Sequence, residues 1–212
     1  MSEMGRSYEG NPINVVEMTN YKSAIKSAEK KAVLFTGGHH ARELSSFTMT
    51  LYLMLKTVYG YHIGDSQVKE ILDTTTLYFV PIFNVDGFKH ICDVYSLTDE
   101  LIFVRKNRND GKVDGYRPCK DDEYLGVDLN RNYDYKFGEN SIGSSSHVCS
   151  EDYRGPYAFS EPETRALRDF IETFKDTIVM AFNYHAYGNL LIYPFNCDPS
   201  SSNDRLFNEF HE

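Results

Sequence analysis

Ala32-Val33-Leu34-Phe35-Thr36-Gly37-Gly38-His39-His40-Ala41-Arg42-Glu43 decides the fold of this chain. Residues 32–36 form a near-continuous apolar run, the pattern of a strand buried on both faces, and the glycine pair ends it. From Glu43 onward Phe47, Leu51, Met54, Leu55 and Val58 recur at helical spacing, which predicts an amphipathic helix packed on the sheet. Strand, turn and helix in that order make one unit of an α/β fold.

The same alternation continues outward. A turn at residues 8–12 leads into a β-rich segment at 13–18, and residues 77–83 read as a further strand with Asn84-Val85-Asp86-Gly87 as the turn after it. Ser160 reads as a helix N-cap, with Pro162 in the first turn and Glu163 at the capping-box position. Leu167, Phe170, Ile171 and Phe174 would be the buried stripe of that helix, and residues 178–182 the next buried strand, which leads to His185. Between Asp86 and about Tyr157 the chain is rich in Gly, Asn, Asp and Ser with little periodicity. It predicts long irregular loops, which in compact domains are usually functional. Asn203 or Asp204 opens one more helical pattern with Leu206, Phe207 and Phe210, which stops barely two turns in at Glu212. Residues 1–212 are therefore expected to form a single α/β domain: a mixed, mostly parallel twisted sheet with helices on both faces, truncated at both ends.

Composition excludes several functions. With 41% hydrophobic and 25% charged residues the chain is globular rather than disordered. A net charge of -9 leaves no excess of Lys and Arg to neutralise phosphates, so nucleic acid is not an expected partner. No apolar stretch approaches the roughly 20 residues of a membrane helix, and no signal peptide is visible at the N-terminus. Cys92, Cys119, Cys149 and Cys197 form no C-x-x-C pair, so they suggest either isolated buried thiols or one or two disulfides.

In open α/β sheets ligands bind beyond the carboxyl ends of strands, and both His40 and His185 follow such ends. Catalytic zinc commonly takes three protein ligands drawn from His and Glu, and His40, Glu43 and His185 supply that set. His39 competes with His40, because its spacing of four to Glu43 would suit a helix. Asp128 could accept the second ring N–H of a ligating histidine, or simply make an Asx turn. Arg42, Arg105, Arg108 and Arg131 are the arginines near these positions, and arginine binds carboxylates in a planar, two-pronged way that lysine cannot match.

These residues resemble, in sequence order, the zinc metallocarboxypeptidases of the pancreatic carboxypeptidase A/B type. The segments that carry the resemblance are Gly5 to Pro12, Gly38-His39-His40-Ala41-Arg42-Glu43, Asn84-Val85-Asp86-Gly87-Phe88 and Arg105-Lys106-Asn107-Arg108. Val127-Asp128-Leu129-Asn130-Arg131-Asn132, Ser160-Glu161-Pro162-Glu163 and His185-Ala186-Tyr187 complete it. The resemblance implies one zinc ion on His40, Glu43 and His185, which settles the choice against His39, with Asp128 orienting His40. It further implies that Arg108 polarises the scissile carbonyl, and that Asn130 and Arg131 hold the substrate's C-terminal carboxylate. Arg42 and Arg105 would assist along the substrate path, and Tyr187 would line the adjoining subsite. A cis Ala186–Tyr187 bond and a Cys119–Cys149 disulfide are implied in the same way.

The implied activity is zinc-dependent hydrolysis of the last peptide bond of peptides or proteins with a free C-terminal carboxylate, by a monomeric enzyme secreted or held in a secretory or lysosomal compartment. The family's general-base glutamate lies on a later strand with no counterpart here, so the chain alone is expected to be weak or inactive. The alternative is a non-catalytic, zinc-containing domain that binds C-termini.

Overall fold

The computed structural model describes residues 1–111 and 119–192. Five strands form one mixed sheet: β1 (Ser2–Arg6), β2 (Pro12–Met18), β3 (Lys31–Gly37), β4 (Thr75–Val80) and β5 (Ile178–Tyr184), in the spatial order β1-β2-β4-β3-β5. The pairs β4–β3 and β3–β5 are parallel, whereas β1–β2 and β2–β4 are antiparallel. Four α-helices accompany them among the described residues: α1 (Leu44–Ile63), α2 (Ser66–Thr74), α3 (Val85–Thr98) and α4 (Pro162–Thr173).

Helices cover both faces, as the unbroken apolar run of β3 requires. Ala32 and Leu34 join Ile13, Val15, Tyr78 and Val80 on one face, under Leu167, Phe170 and Phe174 of α4 and the turn after it. Val33 and Phe35 join Val16, Leu77 and Phe79 on the other, under Leu53 and Met54 of α1 and Val68 and Leu72 of α2. Alternation along one strand thus feeds two cores, each built from aliphatic and aromatic side chains removed from water.

Several expectations are corrected. Leu51, Leu55 and Val58, expected on the buried stripe of α1, are 42%, 70% and 56% exposed. Phe47 and Met54 of that stripe do face inward, together with Ser46, Thr50 and Leu53, and the first turns of the helix press Thr50 and the Phe47 ring against the glycines that end β3. A Cβ on Gly37 would stand 2.5 Å from Thr50 Oγ1, and Gly38 (φ +73°) would place one 1.6 Å from the Phe47 ring. Apolar residues surround α1, so helical spacing alone does not separate Phe47 and Met54, which face the core, from Leu51, Leu55 and Val58, which do not.

The segment after Asp86 is not all loop, since it begins as α3. Asn84 is the N-cap, its side-chain oxygen accepting from Gly87 N–H at 3.0 Å, so the expected turn is the helix start. Neither α2 nor β1 was expected. At α4 the N-cap is Glu161, not Ser160, and its side chain caps nothing; Pro162 is the first helical residue. The strand expected over residues 77–83 is β4, two residues earlier at its start and three shorter at its end. The pattern expected at Leu206, Phe207 and Phe210 lies outside the described residues.

Candidate metal centre

Strand register brings the two histidines together. Gly37 ends β3 directly beside Tyr184, which ends β5, so the chain leaves both parallel strands at the same carboxyl end. His40 follows by three residues and His185 by one. Between them stands Glu43, at the N-cap of α1 but without a side-chain bond to the helix. Its carboxylate turns to the histidines instead: Oε1 lies 2.7 Å from His40 Nδ1, and Oε2 lies 2.8 Å from His185 Nδ1. Ala186 N–H donates to the same Oε2 at 3.1 Å, just before the cis Ala186–Tyr187 bond.

The ligand atoms of His40, Glu43 and His185 all lie within 4.8 Å of one another. Two imidazole nitrogens and a carboxylate aimed at one point fit the three-ligand, open-position set of catalytic zinc. The outer ring atoms support that fit. His40 Nε2 lies 3.0 Å from Asp128 Oδ1, so with a metal on Nδ1 the Nε2–H would donate to that carboxylate. His185 Nε2 stands 3.2 Å from the Asn130 side-chain amide. Asp128 also makes the turn suggested by its sequence context, accepting from Asn130 N–H at 2.9 Å to start a 3-10 turn over Leu129–Arg131.

The site is charged, buried at His40, Glu43 and Asp128 and open at His185. Asp128 is fully buried, and burial pushes its carboxyl upward, but the His40 hydrogen bond and the Arg105 charge outweigh this and hold it near a pKa of about 2. Burial opposes ionisation of Glu43 too, yet hydrogen bonds from His185 and His40 bring its carboxyl well below the ordinary range. Both acids are therefore anionic at any physiological pH.

Arg105 is the guanidinium at the cluster. Its Nε and Nη2 donate to Asp128 Oδ2 at 3.0 and 2.8 Å, and Nη1 faces His40 Nδ1 at 3.2 Å and Glu43 Oε1 at 3.8 Å. Arg108 is not brought there: Nη1 and Nη2 donate to the backbone oxygen of Asp122 at 2.9 Å and to its Oδ1 at 2.5 Å. Arg105 and Arg108 are three residues apart in an extended loop, so their side chains leave in different directions. Arg131 donates to Gly143 O and Asn130 O, Arg42 pairs with Glu151, and the Tyr187 side chain is fully exposed. Cys119 and Cys149 are disulfide-bonded, and Cys92 is a free, exposed thiol.

His39 points away from Glu43. Its Nε2 meets Tyr133 Oη at 2.7 Å, and burial, with His185 and His40 nearby, holds its pKa well below that of a free histidine. Sequence reasoning missed the supports. Asn84, fully buried, donates to His39 O and Lys106 O while capping α3, so one side chain ties three site segments together. Lys106, also buried, donates to Val148 O and Ser150 O, and burial lowers its pKa to about 8. A lysine flanked by arginines reads as a solvated basic loop, and no local pattern reveals its burial.

The sequence model described as zinc carboxypeptidase matches residues 1–212. Mouse (Mus musculus) carboxypeptidase A6 is 31% identical over 193 residues, covering 91% of this chain and 39% of that protein. Carboxypeptidase B of Helicoverpa zea is 33% identical over 203 residues, covering 94% and 42%. Among solved structures, bovine thrombin-activatable fibrinolysis inhibitor in complex with tick carboxypeptidase inhibitor superposes with a TM-score of 0.75 at 29% identity, over 97% of this chain and 60% of that one. The chain thus spans about two fifths of the length of these two curated relatives.

Proposed function

Because this chain belongs to the zinc carboxypeptidase family, we propose that it carries the metal-binding part of a zinc-dependent exopeptidase that hydrolyses the C-terminal peptide bond of peptides and proteins. The observation that carries this reading is the meeting of His40, Glu43 and His185 beneath the Arg105 guanidinium at the carboxyl ends of β3 and β5.

His40, Glu43 and His185 would hold the ion. Bound zinc supplies a Lewis acid for the scissile carbonyl and lowers the pKa of water. Asp128 fixes the tautomer of His40 by accepting its Nε2–H. Arg105 presents N–H donors over the cluster, where they would stabilise the negative charge developing on the carbonyl oxygen. The resemblance gives that role to Arg108, whose guanidinium here donates to Asp122; Arg105 is the guanidinium that reaches the cluster. Asn130 and Arg131 would receive the terminal carboxylate; two of the five N–H donors of Arg131 are committed to backbone oxygens.

Among the described residues the carboxylates at the cluster are Glu43 and Asp128, and both are committed to histidines. Neither is free to take a proton from water. A chain without a further carboxylate to act as that base is accordingly expected to hydrolyse peptides about 10²–10⁴-fold more slowly than one that has it. No helix among the described residues is long and apolar enough to cross a membrane. The Cys119–Cys149 disulfide supports an oxidising, secretory-route compartment.

The test is release of C-terminal residues by the zinc-loaded full-length protein, followed by mass spectrometry with and without a chelator. Chelator-sensitive, stepwise release is expected. A full-length protein that binds zinc and carboxylate-ended peptides without any turnover would establish the non-catalytic binding alternative instead.

A further inference from the structure

Arg42 stands between His40 and Glu43 in sequence, yet its guanidinium is already occupied. Nη1 and Nη2 donate to Glu151 Oε1 and Oε2 at 2.7 and 2.9 Å, a two-pronged pair whose side chains are 29% and 43% exposed. The pair lies at the rim of the metal centre: Arg42 is within electrostatic reach of Glu43 and Asp128, and Glu151 within reach of Arg105. Beside Arg42 runs an apolar shelf of Leu44, Leu101 and Phe103, each between 41% and 59% exposed.

Surface ion pairs of this exposure contribute little as a rule, because two long side chains must be ordered. Here the anion is placed in advance. Cys149 is tied to Cys119, and buried Lys106 donates to Val148 O at 2.8 Å and Ser150 O at 3.0 Å. Asp152 O accepts from Ser145 N–H, and Tyr153 O accepts from Asp128 N–H at 2.8 Å. Every neighbour of Glu151 from 148 to 153 is thus anchored to another segment, so ordering the carboxylate costs little when it meets Arg42.

We propose that Glu151 is a specificity-determining residue: by holding Arg42 in a two-pronged pair, it withholds that guanidinium from acidic side chains upstream of the substrate's last residue and turns the site toward neutral ones. The inference rests on the carboxypeptidase reading of the centre. An acidic side chain approaching the shelf must displace Glu151 from Arg42 and also meets its charge; a neutral one does neither.

The experiment uses the zinc-loaded full-length protein and two peptides identical except for Glu or Gln at the third residue from the C-terminus. Their kcat/KM ratio is measured by product release and their Kd ratio by calorimetry, so that the outcome stands whether or not the protein turns peptides over. Glu151→Gln is expected to raise the acidic-to-neutral ratio about fivefold, with the gain shrinking at about 0.5 M salt. Arg42→Gln, which leaves Glu151 unpaired, is expected to lower the ratio by a similar factor, and the double variant to return it near the parent value. Ratios unmoved by both single variants would overturn the proposal. Absence of peptide release alongside shifted Kd ratios would instead sink only the enzymatic reading.

Discussion

At the residue scale the centre is a chain of commitments running outward from three side chains. On the proposed reading, replacing His40, Glu43 or His185 by Ala would remove a ligand outright, whereas Asp128→Asn would keep shape and remove the anion paired with His40. Loss of such an outer-shell carboxylate typically lowers metal affinity about 10–100-fold, and the ligand variants should lose more. Competition titration against a fluorescent zinc chelator measures both. Unchanged affinity in His40→Ala and His185→Ala would remove the centre altogether. Glu163 offers a separate probe, outside the His40, Glu43 and His185 cluster. It is fully buried, accepts from Tyr8 N–H at Oε1 and shares the Asn107 side-chain amide with Glu161. Burial, with the Glu161 charge beside it, pushes its pKa up to about 8. The folded state therefore holds a proton that the unfolded chain releases near pH 4.5. Stability falls as pH rises between those values, by at most ~1.4 kcal/mol for each pH unit crossed. Glu163→Gln mimics the protonated acid and should flatten that decline, making the variant the more stable protein above pH 8. Urea midpoints at several pH values decide it: parallel profiles would show that Glu163 is ionised in the fold.

At the element scale the site is held by backbone that approaches too closely for side chains. Gly126 (φ +93°) precedes Val127-Asp128 and would place a Cβ 2.0 Å from Asn107 O, a backbone atom that cannot swing aside. Gly126→Ala should destabilise by about 2–4 kcal/mol, from the left-handed conformation and overpacking together. A shift of the thermal midpoint below one degree would contradict it. The elements also differ in how legible they were. β3 and β5 stood out as strands because both are continuous apolar runs, but only β3 is buried; β5, expected to be buried, is an edge strand whose Val179, Met180 and Phe182 are exposed. α3 did not, because only Asp86, Gly87 and Ile91 are buried along it and its capping Asn84 resembles a turn residue. α1 was found as a helix, and its expected stripe is right at Phe47 and Met54 but wrong at Leu51, Leu55 and Val58, which apolar spacing alone does not distinguish.

At the scale of the whole molecule, the described residues leave one broad apolar side uncovered. Leu51, Tyr52, Leu55 and Val58 of α1 are exposed, as are Val179, Met180 and Phe182 of β5, the strand at one edge of the sheet. Exposed apolar surface and an open strand edge both drive association. The isolated 212-residue chain should therefore self-associate as concentration rises, in sedimentation velocity, and bind a hydrophobic dye. A chain that stays monomeric and dark at about 100 μM would show that this side is covered.

The sequence by itself determined the α/β class, the strands β3 and β5 and the three side chains that meet past their ends, because each leaves a local mark: an apolar run, a glycine stop, a histidine or glutamate just past it. The tertiary structure alone decided that Arg105 rather than Arg108 faces the centre, that His39 turns to Tyr133, and that Arg42 is held by Glu151. Those choices join residues up to 109 positions apart or turn on side-chain direction in an irregular loop. No period in the chain encodes either, so they emerge only when the loops between α3 and α4 close over the ends of the strands.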